Sequence, residues 1–389
     1  MKQFWLNKDE CTACAACANI CSQNVIQMNN DRYGFSYPVI SGGCIDCNAC
    51  QNVCNKRSLY ADLNEKTPKT YAAWSQDEKT RFTSTSGGIF SELSHVILEK
   101  GGCIAGAQYN RDNLVEHVLI EDEEGLNRIR QSKYVQSDIG FVFREIKKVL
   151  EEGKLVAFCG APCQVAGLYA YLGKKHDNLI TFDFICRGMN SPKAYRAWLD
   201  ELEKMQGSRV SRVWFKYKSG GWKKSPHCTR VDFIDGNHII LDGNENLYMM
   251  GYLQGNLYMR PSCGNCQFKG APRQGDITLA DFWGLDEMID DDKGASMVLV
   301  NNEKGAQLLD EVRERLTLYE RNFDEIFAGN VCFDKSVEIS PYSMKFLARL
   351  DDIGFSNAMK RYGRMPIVTR AIKKIIRMRN RLFHVWKKA

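Results

Sequence analysis

The placement of cysteine constrains this chain more than any other feature. Sixteen occur in 389 residues, and eight of them fall within the first 54. Cys11, Cys14, Cys17 and Cys21 follow the spacing C-x2-C-x2-C-x3-C, and Cys44, Cys47, Cys50 and Cys54 repeat it unchanged. At about 4% of the chain the total is too sparse for a secreted disulfide scaffold of this length. Local quartets of this kind point instead to metal. Two-residue gaps let three thiolates converge from one tight loop on three irons of a cubane, while the fourth cysteine reaches across to the other cluster. The expected ligand sets are Cys11, Cys14, Cys17 with Cys54, and Cys44, Cys47, Cys50 with Cys21. Two 4Fe-4S clusters fit this spacing. Paired zinc sites are the alternative, since four cysteines also bind Zn²⁺, although zinc motifs typically use two separated CxxC pairs.

Between the repeats, residues 25–40 read as a hairpin, with VIQM and FSYPVI flanking the turn residues Asn29, Asn30, Asp31 and Gly34. Residues 1–60 thus resemble a bacterial two-cluster ferredoxin. They depart from it in one respect: Ser22 and Asn55 stand where proline usually follows the fourth cysteine. Because proline ligates nothing, the departure predicts altered packing or potential and no lost cluster.

Residues 63–80 are polar, contain Pro68 and lack sustained periodicity, so they read as a linker between a module at 1–62 and a main body. The body divides into 81–150 and 151–345, followed by a basic tail at 346–389. It opens on RFTSTSGGIFSELSHVILEKGG, where glycines precede an amphipathic helix through Ile89, Leu93, Val96 and Ile97. Such a helix start exposes N–H groups to an anion, and a phosphate or a flavin pyrimidine edge would suit it. A buried-strand pattern, LVAFCG, then leads into a helix with Pro162 in its first turn and Cys163 at its N-terminus. The next strand ends at Cys186. Residues 209–243 alternate as antiparallel β with turns at 219–221 and 235–237, and a CxxC pair follows at Cys263 and Cys266.

Five segments in this order, STSGG at 84–88, SKYVQS at 132–137, GAPCQVAGL at 160–168, CRG at 186–188 and CGNCQFKGAPRQGDITLADFWG at 263–284, resemble the coenzyme F₄₂₀ hydrogenase/dehydrogenase beta subunit family. The resemblance implies an FAD-binding α/β body carrying a 4Fe-4S cluster of its own near the flavin. It places Thr85, Ser86, Gly87, Gly88, Ser132, Lys133 and Tyr134 against FAD, and makes Cys163, Cys186, Cys263 and Cys266 the candidate ligands of a third cluster. A structural zinc site or inert buried thiols are the alternatives for that set. Cys103, Cys159, Cys228 and Cys332 have no such context and are expected to pack in the core. Relatives usually carry Ser-Gly-Thr-Pro-Cys where Cys159-Gly160-Ala161-Pro162-Cys163 stands, and often Gly-Asp in place of Ala280-Asp281. The fold class is therefore multidomain α+β or α/β: a ferredoxin-like module, then an α/β flavin-binding body with an antiparallel β portion.

Clusters carry single electrons and hydride acceptors take two, so a flavin would join the two chemistries. The function expected is that of an iron–sulfur flavin-dependent oxidoreductase exchanging hydride with a soluble acceptor such as coenzyme F₄₂₀ or another small molecule, with a ferredoxin or other redox protein as partner. Lys216, Lys218 and Lys223 around Trp222 are candidates for holding an anionic substrate, against a solvated hairpin as the plainer reading. A hydrophobic share of 44% excludes wholesale disorder. The net charge is +6, but Lys360–Ala389 holds eleven Lys and Arg and no acid, which leaves −5 elsewhere. Nucleic acid is therefore not an expected partner of the body. No apolar run is long enough to span a membrane and the start lacks a signal-peptide pattern, which predicts a cytoplasmic protein. The tail, with Val368, Ile372, Ile375, Ile376, Leu382, Phe383 and Trp386 at helical spacing among basic residues, could attach it to an anionic membrane face or an acidic partner subunit. Two further functions follow as alternatives: a membrane-face reductase of a glycan or isoprenoid intermediate, and an electron-transfer subunit with no small substrate.

Overall fold

The computed structural model describes residues 4–57, 64–224 and 228–363. Its two cysteine loops share one backbone. Ala13 and Ala15 have φ of 54° and 58°, and the equivalent positions of the second repeat, Asp46 and Asn48, have 55° and 59°. Left-handed backbone is costly for alanine, so loop shape and not local propensity dictates it. Short helices, Ala16–Ile20 and Ala49–Asn52, follow at matching places. Between the loops lies the expected hairpin, β1 (Ile26–Asn30) against β2 (Ser36–Ile40), with Ile26 opposite Ile40.

The segment read as a linker contains β3 (Lys69–Ser75), an internal strand of the main sheet. Ala72 and Ala73 are fully buried. A strand covered on both faces shows no alternation, and that is why its sequence looked featureless. The strands β4 (Cys103–Tyr109), β5 (Val115–Ile120), β6 (Val156–Cys159) and β7 (Leu179–Phe184) continue the main sheet. A separate antiparallel sheet of β8 (Val210–Trp214), β9 (Thr229–Phe233) and β10 (His238–Leu241) follows. The chain then returns with β11 (Ile277–Asp281), β12 (Ser296–Val300) and β13 (Leu316–Arg321). The eight-stranded sheet runs β13-β3-β12-β11-β7-β6-β4-β5. Its centre, β11-β7-β6-β4, is parallel and its outer pairs are antiparallel.

Helices Ile89–Glu99, Glu123–Ile129 and Glu303–Glu311 cover one face through Leu93, Ile97, Ile129 and Leu308. Helices Val142–Glu151 and Pro162–Leu172 cover the other through Phe143, Ile146 and Leu168, and there Cys14, Ala15 and Ala16 of the N-terminal segment join the core. A third, aromatic core gathers Tyr195, Trp198, Phe215, Tyr248, Tyr258, Phe346 and Phe355, with Phe35 and Tyr37 inserted from the hairpin. Burying Phe35 fully contributes about 1.5–3 kcal/mol to this docking. Arg144 adds to it, donating to the carbonyl oxygens of Ala18, Asn19 and Cys21 at the end of helix Ala16–Ile20.

The boundary expected at 346 does not hold. Helices Ser343–Ile353 and Phe355–Tyr362 pack into the aromatic core through Phe346, Leu347, Leu350 and Phe355. The basic stretch from 364 onward lies outside the described residues. Among those residues no helix is long and apolar enough to cross a membrane.

Candidate functional site

The structure groups twelve of the cysteines into the three sets that spacing and resemblance had separated. Cys21, Cys44, Cys47 and Cys50 line one cavity of ≈ 660 Å³. Burial raises the Cys50 thiol, and the neighbouring thiols of Cys47, Cys44 and Cys21 raise it further. The first set is deeper. Burial pushes Cys14 up to about 12, with Cys11 and Cys54 adding to the rise. Cys17 is raised well above the ordinary range by burial, then by Cys14, Cys11 and Cys54. Desolvated thiols that repel one another as thiolates need a highly charged centre to hold them deprotonated. Among the described residues no three His, Cys, Asp or Glu converge closely enough for one metal ion.

The third set lines a cavity of ≈ 500 Å³ with Cys163, Cys186, Cys263 and Cys266, and Cys332 joins them. Burial raises Cys163 most, followed by Cys186, Cys266 and Cys263. The Met189 N–H points at Cys263 Sγ, 3.4 Å away. The N-terminal segment abuts this cavity, and Thr12 lines it. A Cβ on Gly167 would stand 2.7 Å from Cys14 Cβ and 3.0 Å from its Sγ, so glycine is what lets the first loop press against helix Pro162–Leu172. Asn55 donates to the Cys163 carbonyl at 2.7 Å and to Thr12 Oγ1 at 2.9 Å, and its own carbonyl accepts from Gln267 Nε2. The missing ferredoxin proline is thereby accounted for: position 55 is a buried polar tie between module and body.

Beside the third set opens a larger cavity, ≈ 1860 Å³ counting the space at its mouth. Thr85, Ser86, Gly88, Ser132, Lys133 and Tyr134, which the resemblance would place against FAD, line it. Helix Ile89–Glu99 starts at its wall, with Gly88 at φ 93° ahead of the first turn. Gly87 does not line the cavity. Its missing Cβ would meet the Ala73 carbonyl at 2.2 Å, so Gly87 serves the packing of the loop on β3 and β12. Lys133 reaches the cavity by its stem, because its Nζ donates to the carbonyls of Ile129, Arg130 and Gln131. Burial pulls that amine down to about 7. The quoted segments interlock here: Ser132 N–H donates to Thr85 Oγ1 at 2.7 Å, and Gln164 Nε2 to Ser137 Oγ at 2.9 Å.

The basic cluster does not face this cavity. Lys216 is buried, 2.7 Å from Asp281, with Trp222 and Trp283 at 4.4 and 4.5 Å. Trp222 stacks on Trp283. Lys218 donates to the Arg81 and Ser86 carbonyls, and Lys223 pairs with Asp290 at 2.9 Å. Cys103 and Cys228 are buried, and the half-buried Cys159 and Cys332 pack against two of the cores while also lining cavities. Cys159 lines the large cavity, and Cys332 lines both cavities together with Cys186, Arg187, Gly188 and Met189. His117, also in the large cavity, and Arg260, in the smaller one, were not singled out by sequence. Neither sits in a recognisable spacing.

Cysteine-lined cavities thus stand against a mixed α/β sheet, next to a large open cavity at a helix start. Residues 153–326 match the C-terminal part of the coenzyme F₄₂₀ hydrogenase/dehydrogenase beta subunit. The match takes in Cys163, Cys186, Cys263 and Cys266, and leaves the segments at 84–88 and 132–137 outside it. A chain of the F₄₂₀-reducing NiFe hydrogenase complex from Methanosarcina barkeri is similar in structure, with 16% identity, a TM-score of 0.45, and coverage of 76% of this chain and 91% of that one. No curated protein matches the sequence.

Proposed function

We propose that the protein is an iron–sulfur flavoprotein oxidoreductase with two 4Fe-4S clusters in the N-terminal segment, a third in the body, and FAD in the large cavity. The observation that carries this reading is the shared wall: Cys186, Arg187, Gly188, Met189 and Cys332 border both the third cysteine cavity and the large one. The first cysteine loop abuts the former through Thr12, Asn55 and Gly167. With Cys17 and Cys50 neighbouring each other across the first two sets, the three cysteine sets and the large cavity would form a series on this reading. A bound flavin would supply the exchange between one-electron and two-electron chemistry. The chain supplies position: Gly88 and the first turn of helix Ile89–Glu99 offer N–H donors to an anionic or pyrimidine edge, and Tyr134 and Tyr252 lend apolar wall. The open mouth favours an enzyme over a sealed carrier, with a small hydride acceptor or donor such as coenzyme F₄₂₀ as substrate and a ferredoxin-like protein as electron partner.

Anaerobically purified protein should contain about twelve irons and one FAD. Replacing Cys163→Ser should remove about four irons and stop flavin reduction while the N-terminal clusters still reduce, and Cys228→Ser should do neither. Eight irons in the native protein would remove the third cluster. Stoichiometric zinc with little iron would overturn the reading altogether.

A further inference from the structure

Arg260 is 1% exposed, yet among the described residues no carboxylate pairs with it. Its Nε donates to the Cys11 carbonyl at 2.7 Å, Nη1 to Gln136 Oε1 at 3.1 Å and Nη2 to the Ser36 carbonyl at 2.9 Å. The Tyr37 ring lies 4.4 Å from its guanidinium carbon. Every partner is neutral. The guanidinium also forms part of the wall around Cys163, Cys186, Cys263 and Cys266, and that wall contains Arg187, Lys269 and Arg273 but no Asp or Glu. Arg273 is offset by Asp183 at 3.2 Å. Arg187 donates to the Leu253 carbonyl and Asn256 Oδ1, and Lys269 to the carbonyls of Cys186 and Cys332. A buried cation without an anion is costly, so the buried Arg260, with the half-buried Arg187 and Lys269 beside it, calls for negative charge inside the cavity. Arg260 differs from the other two in touching both sides, the backbone of the first cysteine set and the wall of the third.

We propose that Arg260 is the shared counter-charge of the two inner cluster sites and sets their potentials. The inference rests on the functional reading above. Each one-electron reduction adds a negative charge to a cluster, and net charge, hydrogen bonding and solvent exposure fix how readily it is accepted. The outer set is bathed by water, with Cys44 and Cys47 exposed, whereas Cys11, Cys14 and Cys54 are buried and Cys163 half-buried. Burial alone would make the inner sites poor acceptors from the outer one. Arg260 takes the place of the missing water at both, lifting their potentials so that an electron entering at the surface moves inward.

The test is a redox titration of the full chain, followed by the electron-spin signals of each cluster, in native protein, Arg260→Gln, Arg260→Lys and Gln136→Glu. The last leaves Arg260 in place and sets a carboxylate against its Nη1, so the charge is neutralised even if Arg260→Gln loses iron. In Arg260→Gln and Gln136→Glu the partition of an electron from the outer to the inner clusters should fall at least tenfold, 59 mV for a one-electron couple. Arg260→Lys should shift it less, and the outer cluster should stay fixed in all three. Unchanged inner potentials, or equal shifts in all clusters, overturn the role of Arg260. A native protein with eight irons instead overturns the functional reading on which it rests.

Discussion

His117 shows how a residue without a motif acquires a role. Its Nε2 lies 3.1 Å from the Cys159 carbonyl, which can only accept, so Nε2 carries the proton and Nδ1 the lone pair. The ring stacks on Phe158 and is 7% exposed, and no partner for Nδ1 stands among the described residues. Burial pulls the imidazole from 6.5 down to about 4. The native state therefore refuses a proton that the unfolded chain accepts: stability is full above about pH 6.5 and drains as pH falls towards 4, by ~3 kcal/mol in all. His117→Phe should flatten this part of the profile. Thermal midpoints measured from pH 7 down to pH 4.5 check it, and parallel decline of variant and native protein would refute the assignment. Asn55 makes the complementary point: its departure from the ferredoxin pattern was legible in sequence, but the reason, a hydrogen bond to the backbone of residue 163, was not.

At the scale of elements, the small sheet is tied to the large one by a charge pair. Lys216 follows β8 and meets Asp281 at the end of β11, with the Trp283 ring against the lysine. Burial pulls the Lys216 amine down, and Asp281 pushes it back up. Asp281→Leu would leave a buried ammonium unpaired, at a cost of about 3–5 kcal/mol. Lys216→Met combined with Asp281→Leu should recover much of the loss, because neither charge is then stranded. Denaturant midpoints for the two single variants and the double give the answer, and additive losses would show that the pair is not coupled. The alternation of residues 209–243 made this segment legible as antiparallel β and put its lysines on one hairpin. It could not show that Asp281, far along the chain, takes Lys216 out of solvent, while Lys223 stays exposed beside Asp290. The parallel centre of the large sheet was legible from LVAFCG and LITFDF, while β3, covered on both faces, was not.

For the whole molecule, the module boundary drawn in sequence near residue 62 is not a boundary in packing. Phe35 and Tyr37 belong to the aromatic core of the body, and Cys14 and Ala16 to the core beneath the large sheet. The chain should therefore unfold as one unit. If the proposed N-terminal clusters are present, their visible absorbance and the far-ultraviolet signal of the body should be lost together in a denaturant series, and the excised segment 1–62 should hold them less firmly than the full chain. Separate transitions, or an excised segment as stable as the whole, would show that the two parts fold independently.

The sequence by itself determined what is local: the twin cysteine loops, the hairpin between them, the glycine-led helix start and the identity of the strands around Cys163 and Cys186. These follow from spacing and periodicity along a few consecutive residues. Tertiary structure alone decided which loop meets which. It brought Asn55 to Cys163 across 108 positions and Arg260 to Cys11 across 249. It also left Arg260 without a carboxylate partner among the described residues and made one wall serve two cavities. Those outcomes depend on which buried surfaces fit one another, a property of distant segments packed together that no run of neighbouring residues encodes.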